Sequence, residues 1–376
     1  MKAIRTISCK LLTTKPQQEH IERTLKAFSA ACNFVADYGR KTDKKRQFTL
    51  HRGCYYNLRS IFKLKANLAS RAIARTAVAL RRNPNSRFKP SSVDFDERIF
   101  SFNEHDWSVK LTLLESREKF YLHLGDYQRQ ALSGQHPTSA QLTKGKKHYF
   151  INIQIKEDVP ESSTSDGILG VDLGIKNIAT TSDGVQFGGE ILNTYRLKQH
   201  KTRRSLQSKA GTGKRSTCKN ARRTLKQLSG KESRAVKNVN HTISKKIVET
   251  AAASGRSIAL ENLKDIRKRT NPKLRRSQRG LHNSWAFYAL QQMIIYKAMR
   301  TGVAVIKINP AYTSQICSFC GSLGHRSGQI FSCANCSAVL NADVNAARNI
   351  AAVGAAINQP EDSSHDRVKI HEVTRG

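Results

Sequence analysis

The chain has 376 residues, 65 of them Lys or Arg and 28 Asp or Glu, so its formal charge at neutral pH is +37. With 38% hydrophobic residues, 25% charged residues and 14 Phe, wholesale disorder is excluded, and the length suits two or three domains. The longest uncharged apolar run, Ala286 to Tyr296, is far short of the roughly 18 residues of a membrane span, and the first residues lack a signal-peptide core. A soluble, cytoplasmic protein with no membrane partner is therefore expected. So large a positive charge is the footprint of nucleic-acid binding, although ribosomal-type and membrane-surface proteins share it.

In chain order, residues 1–14 alternate weakly and read as one strand. From Pro16 the period changes: Ile21, Leu25, Phe28, Cys32 and Val35 recur at helical spacing, which predicts a helix over Gln17–Lys41. A second helix is predicted over Ile61–Leu80, with Arg71 and Arg75 on it as candidates for duplex contact, or else as a solvent-facing surface. Residues 92–156 read as strands, among them Trp107–Leu113, Lys119–Leu124 and His148–Ile155. A strand, a helical insertion and further strands suggest a small barrel interrupted by helices. The polar stretch 159–166 is a linker by composition.

Beyond it, Ile168-Leu-Gly-Val-Asp172 is a short apolar run of the kind found in central buried strands, followed by strands at Ile178–Thr181 and Val185–Phe187. Residues 196–237 are mostly helical in composition and hold 15 Lys or Arg against one acid, Glu232. That imbalance favours nucleic-acid contact over a merely solvated face, with Arg203, Arg204, Arg222 and Arg223 as candidates. A helix over Val239–Ala253, a strand over Ser257–Glu261, a basic segment 264–279 with Arg267 and Arg269, a helix through Phe287, Leu290, Met293 and Ile294, and a strand over Val303–Ile308 complete an α/β layer. The stretch 355–376 reads as a solvated tail.

Four of the eight cysteines are scattered, and four form Cys317-x2-Cys320-x12-Cys333-x2-Cys336, two knuckles spaced for one tetrahedral, structural Zn2+. Three acids stand out by position. Asp172 and Glu261 each close an apolar strand, and Asp343 sits where a helix opens after the cysteine-rich element. Singly, the first two could be turn acids and the third a helix N-cap. Together they would be costly to bury and would repel one another, a cost that a pair of Mg2+ ions resolves. Two such ions roughly 3.5–4 Å apart are also what phosphodiester hydrolysis uses.

Gly-Val-Asp-Leu-Gly-Ile-Lys-Asn at 170–177, Ile-Ala-Leu-Glu-Asn-Leu at 258–263, Thr-Ser-Gln-Ile-Cys-Ser-Phe-Cys-Gly at 313–321, Cys-Ala-Asn-Cys at 333–336 and Ala-Asp-Val-Asn-Ala-Ala-Arg-Asn-Ile at 342–350 resemble the split RuvC motifs and inserted zinc ribbon of the transposon-associated TnpB family. Type V CRISPR effectors share this architecture. The resemblance is specific over about 168–350 and architectural over 1–158. It implies a multidomain α+β protein: a wedge-type β-barrel (1–15 and 91–158) interrupted by a helical recognition domain (16–90), a linker (159–166), an RNase H-like RuvC α/β domain (167–310 and 340–354), a zinc ribbon (311–339) and a disordered tail (355–376). It further implies Asp172, Glu261 and Asp343 as catalytic ligands of two Mg2+, one structural Zn2+, a guide RNA from the transposon end, and double-stranded target DNA cut beside a short motif in a prokaryotic, nucleoid-associated setting. Two positions depart from the family pattern. Ser337 follows the second knuckle where glycine is usual, and the basic residue before Phe-x-Cys is Gln329 or is displaced to Arg326. Competing readings are a nuclease-inactive RNA-guided repressor, an unguided RuvC-like nuclease and a strand-transferring transposase.

Overall fold

A computed structural model describes residues 2–162, 167–212, 214–263 and 287–358. The candidates Arg267 and Arg269 with their basic segment, part of the linker (163–166) and the stretch from 359 onward lie outside the described residues. Two compact units divide at Asp158/Val159.

The first unit runs β1 (Lys2–Leu12), α1 (Lys15–Lys41), α2 (Gln47–Ile61), α3 (Ala66–Arg82), β2 (Ser92–Asp96), β3 (Phe100–Asn103), β4 (Ser108–Thr112), β5 (Arg117–His123), α4 (Asp126–Leu132), β6 (Ser139–Lys144) and β7 (Tyr149–Asp158). Its strands form one antiparallel sheet in the order β2-β6-β7-β1-β5-β4-β3. α1 starts with a reciprocal cap in which Thr14 Oγ1 accepts from the Gln17 amide and Gln17 Oε1 from the Thr14 amide, with Pro16 in the first turn. Its stripe Ile21, Leu25, Phe28, Cys32 and Val35 is fully buried in a core shared by the sheet and helices α1 to α3.

The helix expected over Ile61–Leu80 begins later, as α3 at Ala66, and Ile61 is the last residue of α2, a helix for which the sequence set no expectation. The chain breaks between Ile61 and Ala66, where Lys63 takes a left-handed φ of 52°, and α2 precedes the break. α2 buries only Leu50, Cys54 and Leu58, a stripe too narrow to stand out among its aromatic and polar neighbours.

The second unit runs β8 (Ile168–Asp172), β9 (Asn177–Thr181), β10 (Gln186–Gly188), α5 (Glu190–Thr212), α6 (Arg215–Leu228), α7 (Lys231–Ala253), β11 (Ser257–Glu261), α8 (Phe287–Thr301), β12 (Val305–Ile308), β13 (His325–Ser327), β14 (Ile330–Ser332), β15 (Val339–Asn341) and α9 (Ala342–Asn358). Residues 355–358, expected in the tail, close α9 instead. The main sheet is ordered β10-β9-β8-β11-β12, with β8, β11 and β12 mutually parallel, β9 antiparallel to β8 and β10 antiparallel to β9. Alternation sorts β8 and β11 between two layers. Leu169, Val171, Ile258 and Leu260 join a core with Ile247, Leu290 and Ile294 of α7 and α8, while Ala259 packs with Ile350 of α9. Burial on both faces explains why these strands read as unbroken apolar runs. Strands β13 to β15 form a separate antiparallel sheet. No described helix is long and apolar enough to cross a membrane.

Candidate active site and metal centre

The acids are brought together by the close seating of α9 on the sheet. A Cβ on Gly170 would lie 2.0 Å from the Ala347 carbonyl oxygen and 2.6 Å from the Ala351 nitrogen, and one on Gly354 would lie 2.7 Å from the Ala259 Cβ. Two residues beyond Gly170 on the same strand face is Asp172, and two beyond Ala259 is Glu261. One turn before Ala347 on the same helix face is Asp343. Because β8 and β11 are parallel with Val171 opposite Leu260, Asp172 and Glu261 end side by side at the carboxyl edge of the sheet. Asp343 is not the helix cap: Asn341 Oδ1 accepts from the Asp343 and Val344 amides at 3.1 and 3.2 Å.

Burial, followed by the charges of Glu261 and Asp343, pushes the Asp172 carboxyl up to about 7 against the opposing pull of Arg326 and the Leu173 amide. Asp343 Oδ2 accepts from Asn177 Nδ2 at 2.9 Å, and Oδ1 from Arg326 Nη2 at 2.8 Å. Glu261 Oε1 accepts from Thr313 Oγ1 at 2.5 Å, and the Glu261 carbonyl from Gln291 Nε2 at 2.7 Å. The three carboxylates lie near enough for the charges of Glu261 and Asp343 to act on Asp172, but their oxygens do not gather as tightly as the sulfurs of the knuckle cysteines.

The four knuckle cysteines place their sulfurs within 4.8 Å of one another, the only such cluster of three or more metal-ligating side chains among the described residues. The Cys317–Cys336 and Cys320–Cys333 Sγ separations are 3.6 and 3.5 Å. Disulfide sulfurs would be about 2.05 Å apart, whereas tetrahedral Zn–S bonds of about 2.3 Å set edges near 3.8 Å. The residues therefore fit zinc. Each knuckle closes with a backbone bond, Cys317 N to Ser322 O and Cys333 N to Ala338 O, both 2.9 Å. Gly321 and Ser337 occupy matching left-handed positions at φ 72° and 54°. Ser337 thus makes the turn that a glycine would make. The amide and hydroxyl of Ser322, with the Asn335 side chain, hold the Cys320 thiol down at about 6.

Asn177, Gln291, Thr313, Asn345 and Asn349 escaped the sequence reading. Asn345 Nδ2 donates to the Ile316 carbonyl and its Oδ1 accepts from the Ser318 amide, so both neighbours of Cys317 are fastened to α9. A signal existed: Asn341, Asn345 and Asn349 recur every fourth residue on an alanine-rich helix.

The basic candidates are distributed differently. Arg203, Arg204, Arg222 and Arg223 lie on α5 and α6, where Arg204, Arg222 and Arg223 are exposed and Arg222 also reaches the Ala210 carbonyl at 3.4 Å. In the first unit Arg71 is half-buried on α3. Arg75 is engaged internally: it forks onto Asp94 at 2.6 and 2.7 Å, donates to the Ser92 carbonyl and packs over Phe28, which ties α3 to β2.

A family profile described as "Probable transposase" matches residues 150–282, and one described as Cas12f1-like, TNB domain, matches 287–350. The chain is 37% identical over 239 residues to the CRISPR-associated endodeoxyribonuclease Cas12f1 of Sulfoacidibacillus thermotolerans, covering 58% of this chain and 54% of that one. It is 32% identical over 190 residues to a TnpB-like protein of Methanocaldococcus jannaschii, covering 49% of this chain and 67% of that one. The chain spans about half the length of the Sulfoacidibacillus protein. Its fold is similar to that of Cas12f1 solved with sgRNA and target DNA, at TM-score 0.65 and 16% identity over 90% of this chain and 83% of that one. Acids, knuckles and profiles fall on the same stretch of sequence, and the chain belongs to the TnpB family.

Proposed function

We propose that the chain is an RNA-guided DNA endonuclease encoded by a transposable element, which hydrolyses target DNA beside a short adjacent motif. The observation that carries this reading is the convergence of Asp172, Glu261 and Asp343 at one edge of the main sheet. The strand order β10-β9-β8-β11-β12 suits an RNase H-like RuvC domain, and the sheet of the first unit suits the wedge-type barrel of the family. Asp172, Glu261 and Asp343 would hold two Mg2+, and Cys317, Cys320, Cys333 and Cys336 one Zn2+. Magnesium there supplies the charge that activates water and steadies the leaving oxygen. The chain's own residues do the rest: Asn177 and Arg326 fix the Asp343 carboxylate, Thr313 fixes Glu261, and the small residues of α9 hold the acids together.

Arg71, Arg203, Arg204, Arg222, Arg223, Arg267 and Arg269 serve backbone contacts with the RNA and DNA, and Arg75 supports Arg71 by ordering α3. Base pairing then reads the sequence, while the protein reads backbone geometry and the short motif. A relative solved with sgRNA and target DNA supports both partners. The intact acid triad disfavours a nuclease-inactive repressor. The test is cleavage of two plasmids with swapped guide segments: each guide is expected to direct cutting to its own complement in Mg2+. Equal cutting whatever the guide, or cutting without RNA, would overturn the reading.

A further inference from the structure

We propose that Thr313 is a positioning residue for the divalent-cation site: its hydroxyl fixes the Glu261 carboxylate, and Asn349 of the helix that carries Asp343 fixes Thr313. The inference rests on the nuclease reading above. Thr313 is 3% exposed, and its Oγ1 lies 2.5 Å from Glu261 Oε1 but 3.3 Å from the Pro310 carbonyl. A hydroxyl has one proton to give, and the shorter contact to a carboxylate takes it. The donor is neutral, so it orients Glu261 without cancelling the charge that a cation needs.

Thr313 is itself held. Asn349 Nδ2 donates to the Thr313 carbonyl at 2.8 Å and to the Ile316 carbonyl at 2.6 Å, while Asn345 on the same helix donates to Ile316 at 2.7 Å. Asn345 is fully buried and Asn349 nearly so. Glu261 and Asp343 belong to elements far apart in sequence, yet each is referred to α9: Asp343 directly, and Glu261 through Thr313 and Asn349. The helix therefore sets the spacing between two carboxylates, and the loop into the first zinc knuckle is the link. Removing the partner behind a metal ligand typically costs 10–100-fold in metal affinity.

The experiment measures Mn2+ binding by electron paramagnetic resonance on the zinc-loaded full chain, with zinc content and thermal melting as fold controls. Thr313→Val, which keeps the shape and deletes the hydroxyl, is expected to weaken Mn2+ binding by about 10-fold or more. Thr313→Ser is expected to restore binding, and Asn349→Ala to weaken it in the same direction as Thr313→Val. In guided cleavage, Thr313→Val is expected to need more Mg2+, to recover at excess Mg2+, and to bind RNA and DNA as the wild type does. Unchanged Mn2+ affinity in Thr313→Val, or equal loss in Thr313→Val and Thr313→Ser, overturns the positioning role, and unchanged affinity in Asn349→Ala overturns the link to α9. Glu261→Gln separates the two readings. If it leaves Mn2+ binding and cutting intact, the nuclease reading falls; if it loses both while Thr313→Val loses neither, only the role of Thr313 falls.

Discussion

Gly170 lies beneath the carbonyl of Ala347 so closely that a Cβ on it would sit 2.0 Å from that oxygen. The neighbours it would strike are backbone atoms of α9, which cannot rotate away. Gly170→Ala must therefore lift the helix off β8, and Asp343 with it. Overpacking of this kind costs about 1–3 kcal/mol and sometimes more. Urea unfolding should show a loss of at least that size, and cutting should fall further than stability explains, because the separation of Asp172 from Asp343 changes.

Asp172→Asn, Glu261→Gln and Asp343→Asn should each abolish cutting and leave nucleic-acid binding largely intact, since affinity comes from phosphate contacts and counterion release. A variant that still cuts at near wild-type rate in Mg2+ would remove its residue from the site. Asp172→Asn carries a second signature: without metal it should melt above the wild type at pH 8, because it deletes one of three mutually repelling charges.

The raised Asp172 carboxyl fixes the sign of a pH effect. Its unfolded value is about 4 and its folded value about 7, so the stability it contributes is complete below about 4 and is lost as pH rises through about 7. Metal-free protein should therefore lose part of its stability between those values. Mn2+ affinity should rise over the same window, because binding needs the carboxylate and releases its proton. Titration calorimetry in two buffers of different ionisation enthalpy measures that proton release.

One tightly held zinc per chain is expected, since the sulfur separations already match a tetrahedron. Cys317→Ser combined with Cys333→Ser should remove it and lower the melting temperature. Elemental analysis that finds no zinc in wild-type protein would count against the site.

Ser337 holds a left-handed φ of 54° at the place where Gly321 closes the other knuckle. A residue with a Cβ pays roughly 1–2 kcal/mol there, and glycine pays little. Ser337→Gly should stabilise the ribbon by about 1 kcal/mol, read as slower zinc release to a chelator.

Local features were legible without a structure. The knuckles are set by spacing within a few residues, and α1 by Pro16 in its first turn and an apolar period inside one helix. An acid closing an apolar strand announces itself because burial there is costly unless something compensates it. The acid triad could be listed from the chain for that reason, although its convergence could not.

Convergence depends on contacts between distant segments, which composition does not encode. Asn177 meets Asp343 across 166 residues and Thr313 meets Glu261 across 52, and no period links either pair. Lys63 delays the start of the helix expected from Ile61 to Ala66 through a backbone angle that its side-chain type does not announce. Arg75 looked like its neighbours on a basic helix until Asp94 was placed beside it, and packing alone decides which cation of such a run turns inward. The sequence by itself determined the paired cysteine knuckles and the strands that end in acids. Only the tertiary structure, through the seating of α9 on Gly170 and Ala259, decided how those acids are spaced, and it alone supplies the groups that hold Glu261 and Asp343.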